Sequence, residues 1–251
     1  MRPFIVIRSY EIADGVARQE IIRKYVMSFA FEAFMSCLFR EIFIQLIVFV
    51  AAMMFIFVGL PLPVCFTAIP LVIVFIYISV YGTYITKAME LNSDPITTCW
   101  IAEAYEPYTI SLSMTNKFTN YDIIHESQLK SDDREMHRMK RSIVGTVSID
   151  DHRCLHDSSW LSHFAVRPDF NFEAAAEALI LRALKHAVDL QMVNVEMTTT
   201  ECQMQLREVL TKIGFDIKQI YHRRILGNSN FRIMKSQLGI NLDNWSSSKR
   251  K

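Results

Sequence analysis

The pattern of apolar and polar positions changes abruptly at residue 42 and again near residue 86. The run from Ile42 to Leu60 is nineteen residues without a charge, a segment with three prolines follows, and Leu71 to Ile85 is again uncharged. About 20 apolar residues, at about 1.5 Å each, span the hydrocarbon core of a bilayer. Because prolines end a helix and permit a tight reversal, the pattern predicts a membrane hairpin over 42–86. Two full crossings and a re-entrant hairpin both fit this pattern.

Basic residues on both sides of the hairpin indicate its orientation. Arg23, Lys24 and Arg40 precede the hairpin and Lys87 follows it, whereas its turn carries no charge. Cytoplasmic flanks carry the excess of Lys and Arg, so both flanks are expected in the cytosol. The basic end at 249–251 is compatible with residence in the endoplasmic reticulum or with contact to anionic lipid. We therefore expect an integral protein of the endoplasmic reticulum whose soluble part faces the cytosol.

Outside the hairpin, short apolar alternations indicate strands and longer apolar stripes indicate helices. Asn171 is a plausible N-cap for one of these helices, and Gly214 is placed to end another. The polar stretch 106–141 predicts a solvated loop or mobile helix. The predicted strands cover 4–8, 98–105, 142–149, 160–166, 193–197, 216–226 and 231–234, and the predicted helices cover 13–40, 173–190 and 202–213. This order predicts an α/β fold with a mixed (α+β) sheet.

The same order divides the chain into three parts. Residues 1–41 supply the first strand and helix of the soluble domain, and 42–86 form the hairpin. Residues 87–251 supply the main part of the domain, with 106–141 as a polar insertion. Since both flanks of the hairpin are expected on one side of the membrane, the two soluble parts can share one sheet.

Composition narrows the classes of partner and site. The chain has 27 Lys+Arg against 26 Asp+Glu, which gives no reason to expect a nucleic-acid partner. The five cysteines form no CxxC pair, so free thiols are favoured over a disulfide framework. His152, Cys154 and His156 alternate, but their spacing matches no zinc pattern. We expect no metal site.

Four stretches carry a resemblance to a known family: 7–10 followed by Asp14, the uncharged hairpin, the strand pair 143–147 and 161–168, and 197–215, which ends in Gly-Phe. Their order resembles the GCN5-related N-acetyltransferase (GNAT) superfamily. Within it, the chain is similar to the membrane-anchored camello-like branch that includes N-acetylaspartate synthetase. The resemblance implies a GNAT-like acyl-CoA N-acyltransferase fold with an inserted hydrophobic membrane hairpin.

This resemblance also implies an activity and a cofactor site. The activity would be transfer of acetyl from acetyl-CoA to an amine, either a small amino acid derivative or a protein lysine. The strand backbone at Phe164, Ala165 and Val166 would pair with the pantetheine arm. The next loop and helix N-terminus would hold the pyrophosphate, because unpaired N–H groups favour anions there. The residues implied for this second role are Asn171, Phe172, Glu173, Ala174, Ala175 and Ala176.

The sequence departs from the family at two places in this machinery. The family loop typically has the form R-x-x-G-x-G/A, with a related form R-G-x-G-I-G/A in this branch. Here Asn171 replaces the arginine, and Phe172 and Ala174 replace the two glycines of the branch form. A Cβ opposes close approach of a phosphate to the backbone. Leu210 occupies the position of a tyrosine that commonly protonates the departing thiolate, and leucine cannot donate a proton.

Two residues remain as candidate bases. His163 lies where the branch has a histidine in its central strand, and Glu196 lies on the neighbouring strand; each is also compatible with a purely structural role. Two functions stay open on this basis: a membrane-anchored N-acetyltransferase, or a degenerate relative serving as a membrane-tethered binding or scaffold module. A channel is disfavoured because Gln45 is the one polar amide in an uncharged hairpin.

Overall fold

The computed structural model describes residues 3–39, 41–93, 97–107, 121–125, 139–152, 155, 157–224 and 232–248. Its helices are α1 (Gly15–Ser28), α2 (Ala30–Leu38), α3 (Glu41–Val58), α4 (Leu62–Cys65), α5 (Ala68–Ser93), α6 (Phe172–Asp189), α7 (Met204–Ile213) and α8 (Leu242–Ser248), and a 3₁₀ turn, Ile12–Asp14, precedes α1. Its strands are β1 (Phe4–Ser9), β2 (Thr98–Pro107), β3 (Asp122–His125), β4 (Met139–Asp151), β5 (Ser158–Val166), β6 (Asn194–Thr200), β7 (Asp216–Arg224) and β8 (Arg232–Asn241).

These strands form one mixed sheet in the order β3-β1-β2-β4-β5-β6-β8-β7. The pairs β1–β3 and β5–β6 are parallel, and the other neighbours are antiparallel. The mixed α/β sheet predicted from the sequence is confirmed. Its two halves meet at the β5–β6 pair.

The hairpin leaves this sheet and returns to it at adjacent points. Strand β1 pairs with β2 along its whole length, from Phe4 opposite Tyr105 to Ser9 opposite Trp100. Beyond the last pair, the Tyr10 amide donates to the carbonyl of Cys99 at 3.0 Å. The chain on either side of the helical excursion is therefore held together by ladder hydrogen bonds, and the sheet is continuous across the insertion.

Helices α1 and α6 pack against β4 and β5 and share one hydrophobic core with the sheet. Gly145 on β4 permits the close approach of α6. A Cβ at this position would lie 2.8 Å from the Leu179 Cδ1 atom and 3.2 Å from the Ala165 carbonyl oxygen. Since real Cβ atoms do not approach other atoms so closely, this glycine fixes the distance between α6 and the sheet.

Helix α6, before β6, begins where the sequence predicts, and helix α7, after β6, ends where the sequence predicts. Asn171 caps α6, with its side chain accepting a hydrogen bond from the Ala174 amide at 3.3 Å. Gly214 ends α7 with a φ of 111°, a left-handed conformation that glycine adopts without steric cost. Both predictions are confirmed, and together they fix where the chain enters and leaves this part of the sheet.

The apolar helices α3 and α5 pack against each other but leave many large side chains exposed. The helical run Leu62–Ser93 is the one helix among the described residues that is long and apolar enough to cross a bilayer by itself, with a mean hydropathy of 2.4 and only 28% of its window buried. The bent pair of Ile12–Leu38 and Phe43–Val58, at 67°, is a second candidate when counted as one span. Length and composition therefore give one candidate span, or at most two.

The hairpin docks on the soluble domain through α2 and the turn after β6. Ala33 and Cys37 of α2 form a buried cluster with Val72 and Ile76 of α5, and Cys202 joins it from the β6–α7 turn. Apolar contact thus connects the excursion to the end of β6.

Several element boundaries differ from the prediction. The helix expected over 13–40 is two helices that meet at Phe29, and α5 continues to Ser93, past the expected end of the hairpin. The loop or mobile helix expected over 106–141 is wrong at 122–125, where a short strand pairs with β1, and at both ends, where β2 and β4 extend inward. Residues 108–120 and 126–138 of that stretch, and the turn at 227–230, lie outside the described residues.

A buried charge network fixes the start of α1 to the sheet. Arg8 makes two hydrogen bonds of 2.7 Å to the Asp14 carboxylate, and its Nε lies 3.2 Å from Glu103 Oε2. Arg141 donates to the other Glu103 oxygen at 2.9 Å. The hydrogen bonds from Arg8, above all, hold the pKa of Asp14 below its usual range.

We predict that Asp14→Asn lowers the free energy of unfolding by about 2 kcal/mol, because Arg8 loses its two charged hydrogen bonds to the Asp14 carboxylate and keeps Glu103 as its remaining carboxylate partner. The depressed pKa of Asp14 means that its contribution is present above the ordinary carboxyl range and is lost as pH falls through its folded pKa. Urea unfolding at pH 7 and in the acid range measures both effects. Glu20→Gln, at an exposed α1 ion pair, is the matched control and should leave stability unchanged at both pH values, because solvent screens an exposed pair.

Candidate functional site

The site begins where two parallel strands separate. Strands β5 and β6 pair through Ser158, Ser159 and Trp160, the last opposite Glu196. The pairing then stops, although β5 continues to Val166 and β6 to Thr200. Each diverging strand keeps its outer partner, β4 or β8. The split therefore leaves the inner edges of β5 and β6 without ladder partners among the described strands.

A cavity of about 660 Å³ opens beside this split. We call it the cleft. Its walls come from the α1–α2 junction, the β5–α6 connection and the β6–α7 turn with α7 itself. The lining residues are Tyr25, Ser28, Phe29, Glu32, Val166, Pro168, Phe170, Phe172, Glu173, Cys202, Gln203, Met204, Gln205, Leu206, Glu208, Val209 and Lys212. Its size lies within the range of small-molecule sites.

Three aromatic rings meet at the inner end of the cleft. The Tyr25 ring stacks on Phe172 with centroids 6.2 Å apart and meets Phe164 edge-on at 5.9 Å. Phe164 and Phe172 are also in edge contact, at 6.1 Å. The Tyr25 hydroxyl accepts from Gln203 Nε2 at 3.5 Å, and the side-chain oxygen Oε1 of Gln203 accepts from the Thr200 backbone amide at 3.0 Å. This cluster connects α1 to the end of β6 across the split.

The N-terminus of α6 faces the cleft through Phe172 and Glu173. Asn171 accepts hydrogen bonds from two backbone amides of the first turn. The Ala174 amide donates to the Asn171 side chain, and the Ala175 amide donates to the Asn171 backbone carbonyl at 3.4 Å. The amides of Phe172 and Glu173 have no intrachain acceptor among the described residues. They are thus the groups at this helix end that remain for an anion.

Charge in the cleft is uneven. Glu32, Glu173 and Glu208 contribute three carboxylates to the lining, and Lys212 contributes an amine. Lys212, on α7, forms an exposed ion pair with Glu173 at the start of α6. The pair places a cation beside the amides of the α6 first turn. An exchange of Glu173 for a phosphate group would keep the lysine charge neutralised.

Cys202 contributes a thiol to the same wall. It is 6% exposed, and burial, with smaller effects from Glu32 and Glu201, raises its pKa to about 11. A thiol with this pKa is neutral at physiological pH and a poor nucleophile. The cleft therefore offers little for a mechanism that passes through a cysteine thioester.

His163 lies on β5 beside the cleft and does not line it. The residue is 7% exposed and has a φ of 48°, at a register shift where Thr146 and Ser148 of β4 face the strand. Its Nδ1 atom lies 2.7 Å from the Ser162 hydroxyl. A bulge of this kind re-aims a side chain and is common near functional sites.

Glu196 lies opposite Trp160 at the last pair before the split. Its Oε2 atom accepts from Gln237 Nε2 at 2.5 Å and lies 3.9 Å from His152 Nε2. From Glu196 to the level of His163 is three residues along the strand direction, roughly 10 Å. The two candidate bases are therefore separate, and Glu196 has strand partners that account for its position.

The other residues implied by the resemblance divide into two groups. Val166, Phe172 and Glu173 line the cleft, and Phe164 touches it through the aromatic cluster. Ala165, Ala175, Ala176 and Leu210 are fully buried in the core. The core residues support the cleft walls and present no side chain to a ligand.

Sequence reasoning missed the contribution of α1 and α7. Tyr25 and Gln203 are bonded across the split, and Lys212 reaches the start of α6, although each is far from the family-like loop in sequence. Their helical spacing indicates only amphipathic helices. The described residues contain no group of three or more metal-ligating side chains, and Cys154 and His156 lie outside them.

No protein-family model and no curated protein matches the chain. Solved structures similar to it include a Salmonella typhimurium protein described as an acetyltransferase with its cofactor acetyl-CoA (13% identity, TM-score 0.36, 41% of this chain and 60% of that one). An N-acetyltransferase from Staphylococcus aureus Mu50 aligns over 95% of this chain and 98% of its own length, at 9% identity and a TM-score of 0.47. A spermidine/spermine N-acetyltransferase from Vibrio cholerae aligns over 66% and 80%, at 12% identity and 0.39.

We predict that Cys202 in the folded protein reacts slowly with iodoacetamide at pH 8, where a pKa of about 11 leaves roughly one thiol in a thousand ionised. Its rate should rise about tenfold per pH unit until the protein unfolds. Peptide-resolved mass spectrometry measures the rate, and the same peptide in urea is the control. Rapid labelling of the native protein at pH 7 would contradict the assignment.

Proposed function

We propose that the chain is a membrane-anchored N-acetyltransferase that moves acetyl from acetyl-CoA to an amine. The observation that supports this most strongly is the separation of β5 and β6 beside the cleft. A strand edge without a ladder partner needs another set of hydrogen-bonding groups. The amides of the pantetheine arm would supply them along Phe164 to Val166.

The pyrophosphate would lie at the first turn of α6. The amides of Phe172 and Glu173 are available there, and Lys212 would exchange its Glu173 partner for a phosphate oxygen. Lys212 can therefore replace part of what the family arginine provides, although solvent screens a charge that is as exposed as this one. The carboxylates of Glu32 and Glu208 oppose a polyanion, which predicts weak binding that depends on salt.

The acceptor would be a small amino acid derivative or a protein lysine. Its neutral amine would attack the thioester carbonyl near the split, with His163 as the candidate base. Glu196 is a second candidate, although its bond to Gln237 gives it a structural role.

A second function is favoured by the same residues that depart from the family. Leu210 is fully buried where a proton donor is expected, and the Tyr25–Phe172 stack occupies the inner end of the cleft. A membrane-tethered binding or scaffold module would keep the fold and cavity without turnover. Binding of CoA separates the two functions.

Membrane anchoring is supported by exposure on the hairpin. Phe49, Ile56 and Phe57 on α3 are 61%, 70% and 74% exposed, and Ile78 on α5 is 64% exposed. An apolar surface of this extent is unfavourable in water and favourable in lipid. We propose residence in the endoplasmic reticulum membrane, with the soluble domain in the cytosol.

We predict that CoA and acetyl-CoA at millimolar concentration raise the unfolding temperature of the purified protein, because a ligand stabilises the state that binds it. Lys212→Ala should weaken binding roughly tenfold. Lys185→Ala, an exposed lysine on α6, is the matched control and should bind as the wild type does. Equal affinities of the two variants would remove Lys212 from the site.

The absence of any shift with the wild-type protein would contradict the enzyme function. The variant Asn171→Arg, Phe172→Gly, Ala174→Gly then distinguishes the reason. Binding by this variant alone would assign the wild type to the binding-module function, with the loop as the altered part.

We predict that Phe49→Arg reduces the fraction of protein that resists alkaline extraction from membranes, because arginine at mid-membrane costs roughly 2.5–3.5 kcal/mol on insertion scales. Ile12→Arg, at an exposed position outside the hairpin, should leave that fraction unchanged. Tags at the two chain ends should both be accessible from the cytosol. Tags on opposite faces of the membrane would overturn the proposed topology.

A further inference from the structure

A chain of hydrogen bonds leads from His163 into the sheet. The Ser162 hydroxyl lies 2.7 Å from His163 Nδ1 and also donates to Asp150 Oδ2. The Thr97 hydroxyl contacts the other carboxylate oxygen, Oδ1. Asp150 is opposite Trp160 in the β4–β5 ladder, and Ser148 is opposite Ser162, so Asp150 and Ser162 face the same side of the sheet. Backbone pairing thus fixes the order Thr97–Asp150–Ser162–His163.

The bonds in this chain determine where the imidazole proton lies. A serine hydroxyl has one proton, and Ser162 donates it to Asp150 Oδ2. The Ser162 oxygen must therefore accept at its contact with His163. This assigns the imidazole proton to Nδ1 and the lone pair to Nε2.

The backbone conformation of His163 indicates that the surrounding structure holds this residue in one position. A φ of 48° is uncommon outside glycine, and histidine, asparagine and aspartate tolerate it better than most residues. Such a conformation is strained and persists only where the surroundings fix it. The register shift in β4–β5 brings the ring back onto the hydroxyl of the preceding residue.

We propose that Ser162 and Asp150 are positioning residues that hold His163 in the Nδ1–H tautomer. Nε2, which is buried in this structure, would become the proton acceptor for the acetyl acceptor once the aromatic side chains beside the cleft move to admit the substrates. The catalytic part of this inference rests on the proposed function. As the amine nitrogen bonds to the thioester carbonyl carbon, Nε2 takes the amine proton and the carbon–sulfur bond breaks. The CoA thiolate then receives a proton from the imidazolium through water, so the reaction consumes no net proton.

This arrangement also accounts for the absence of a donor at Leu210. A histidine with an oriented Nε2 can both take a proton and return one, so a separate acid is not required. The Asp150 carboxylate stabilises the imidazolium through the intervening hydroxyl. Loss of either positioning residue should lower turnover and leave cofactor affinity unchanged, because neither residue lines the cleft.

The first test reads the tautomer and needs no activity. The full-length protein, with ¹⁵N-labelled histidine in detergent micelles, contains seven histidines, and His163→Asn identifies the signal of interest while tolerating the positive φ. We expect the Nδ1–H tautomer in the wild type and in Ser162→Thr, which keeps the hydroxyl. Ser162→Ala and Asp150→Asn should shift the signal toward a mixture of tautomers. A predominant Nε2–H tautomer in the wild type would overturn the proposal.

The second test measures release of CoA from acetyl-CoA by the same variants, with a free α-amino acid and a lysine-containing peptide as the two acceptor probes. Ser162→Ala and Asp150→Asn should reduce kcat roughly tenfold or more at unchanged KM for acetyl-CoA, a part of what a general base contributes, and Ser162→Thr should retain most of the rate. Unchanged kcat in both variants would overturn the positioning role. A wild type that shows the Nδ1–H tautomer but transfers no acetyl group would contradict the proposed function and leave the tautomer assignment standing.

Discussion

The separation of β5 and β6 is the constraint on which the rest of the site depends. Buried backbone N–H and C=O groups need hydrogen-bond partners. Because the parallel pairing stops at Trp160 and Glu196, the inner edges of β5 and β6 beyond that point lack strand partners within the part of the chain that the structure describes. The start of α6, the start of α7 and the end of α1 lie around the opening. The cleft is therefore a consequence of sheet geometry, and side-chain chemistry adjusts what it can hold.

The aromatic cluster and the proposed cofactor would occupy the same end of this cleft. Their interaction free energies indicate which of the two is favoured there. A stacked or edge-on aromatic pair contributes about 0.5–1.5 kcal/mol beyond its burial. Each charged hydrogen bond to a phosphate contributes roughly 1.5–3 kcal/mol. The Tyr25–Phe172 contact can therefore weaken cofactor binding and impose a side-chain movement on it. By itself it is too small to exclude a ligand that gains several such bonds.

Much of the fold follows from local sequence pattern, because strand alternation, the Asn171 cap and the Gly214 termination are local properties. The missed elements lack such a pattern. Strand Asp122–His125 is short, lies within a polar stretch and forms only because β1 offers an edge. The terminal helix Leu242–Ser248 has only seven residues. The break at Phe29 divides a helix that the sequence pattern predicts as continuous. Helix α2, beyond the break, packs against α5, and no local signal reports that tertiary contact.

The site was less predictable, since its side chains come from distant parts of the sequence. The stretch at Asn171–Ala176 was found through its likeness to a loop, whereas Tyr25, Gln203 and Lys212 belong to the cleft only because helices converge at the split. Asp150 illustrates the same limit. Its relation to Ser162 depends on strand register, and a bulge one residue further on decides that His163 can share the network.

The insertion point of the hairpin connects this geometry to the proposed membrane anchor. The ladder between β1 and β2 holds both ends of the excursion, so the sheet does not need the hairpin for its own continuity. Yet α2 and Cys202 contact α5, and Glu32 on α2 lines the cleft beside Cys202. One wall of the cavity is therefore also the surface on which the hairpin docks. The hairpin thus packs against the elements that form this wall, whereas the sheet is held together by the β1–β2 ladder independently of the hairpin.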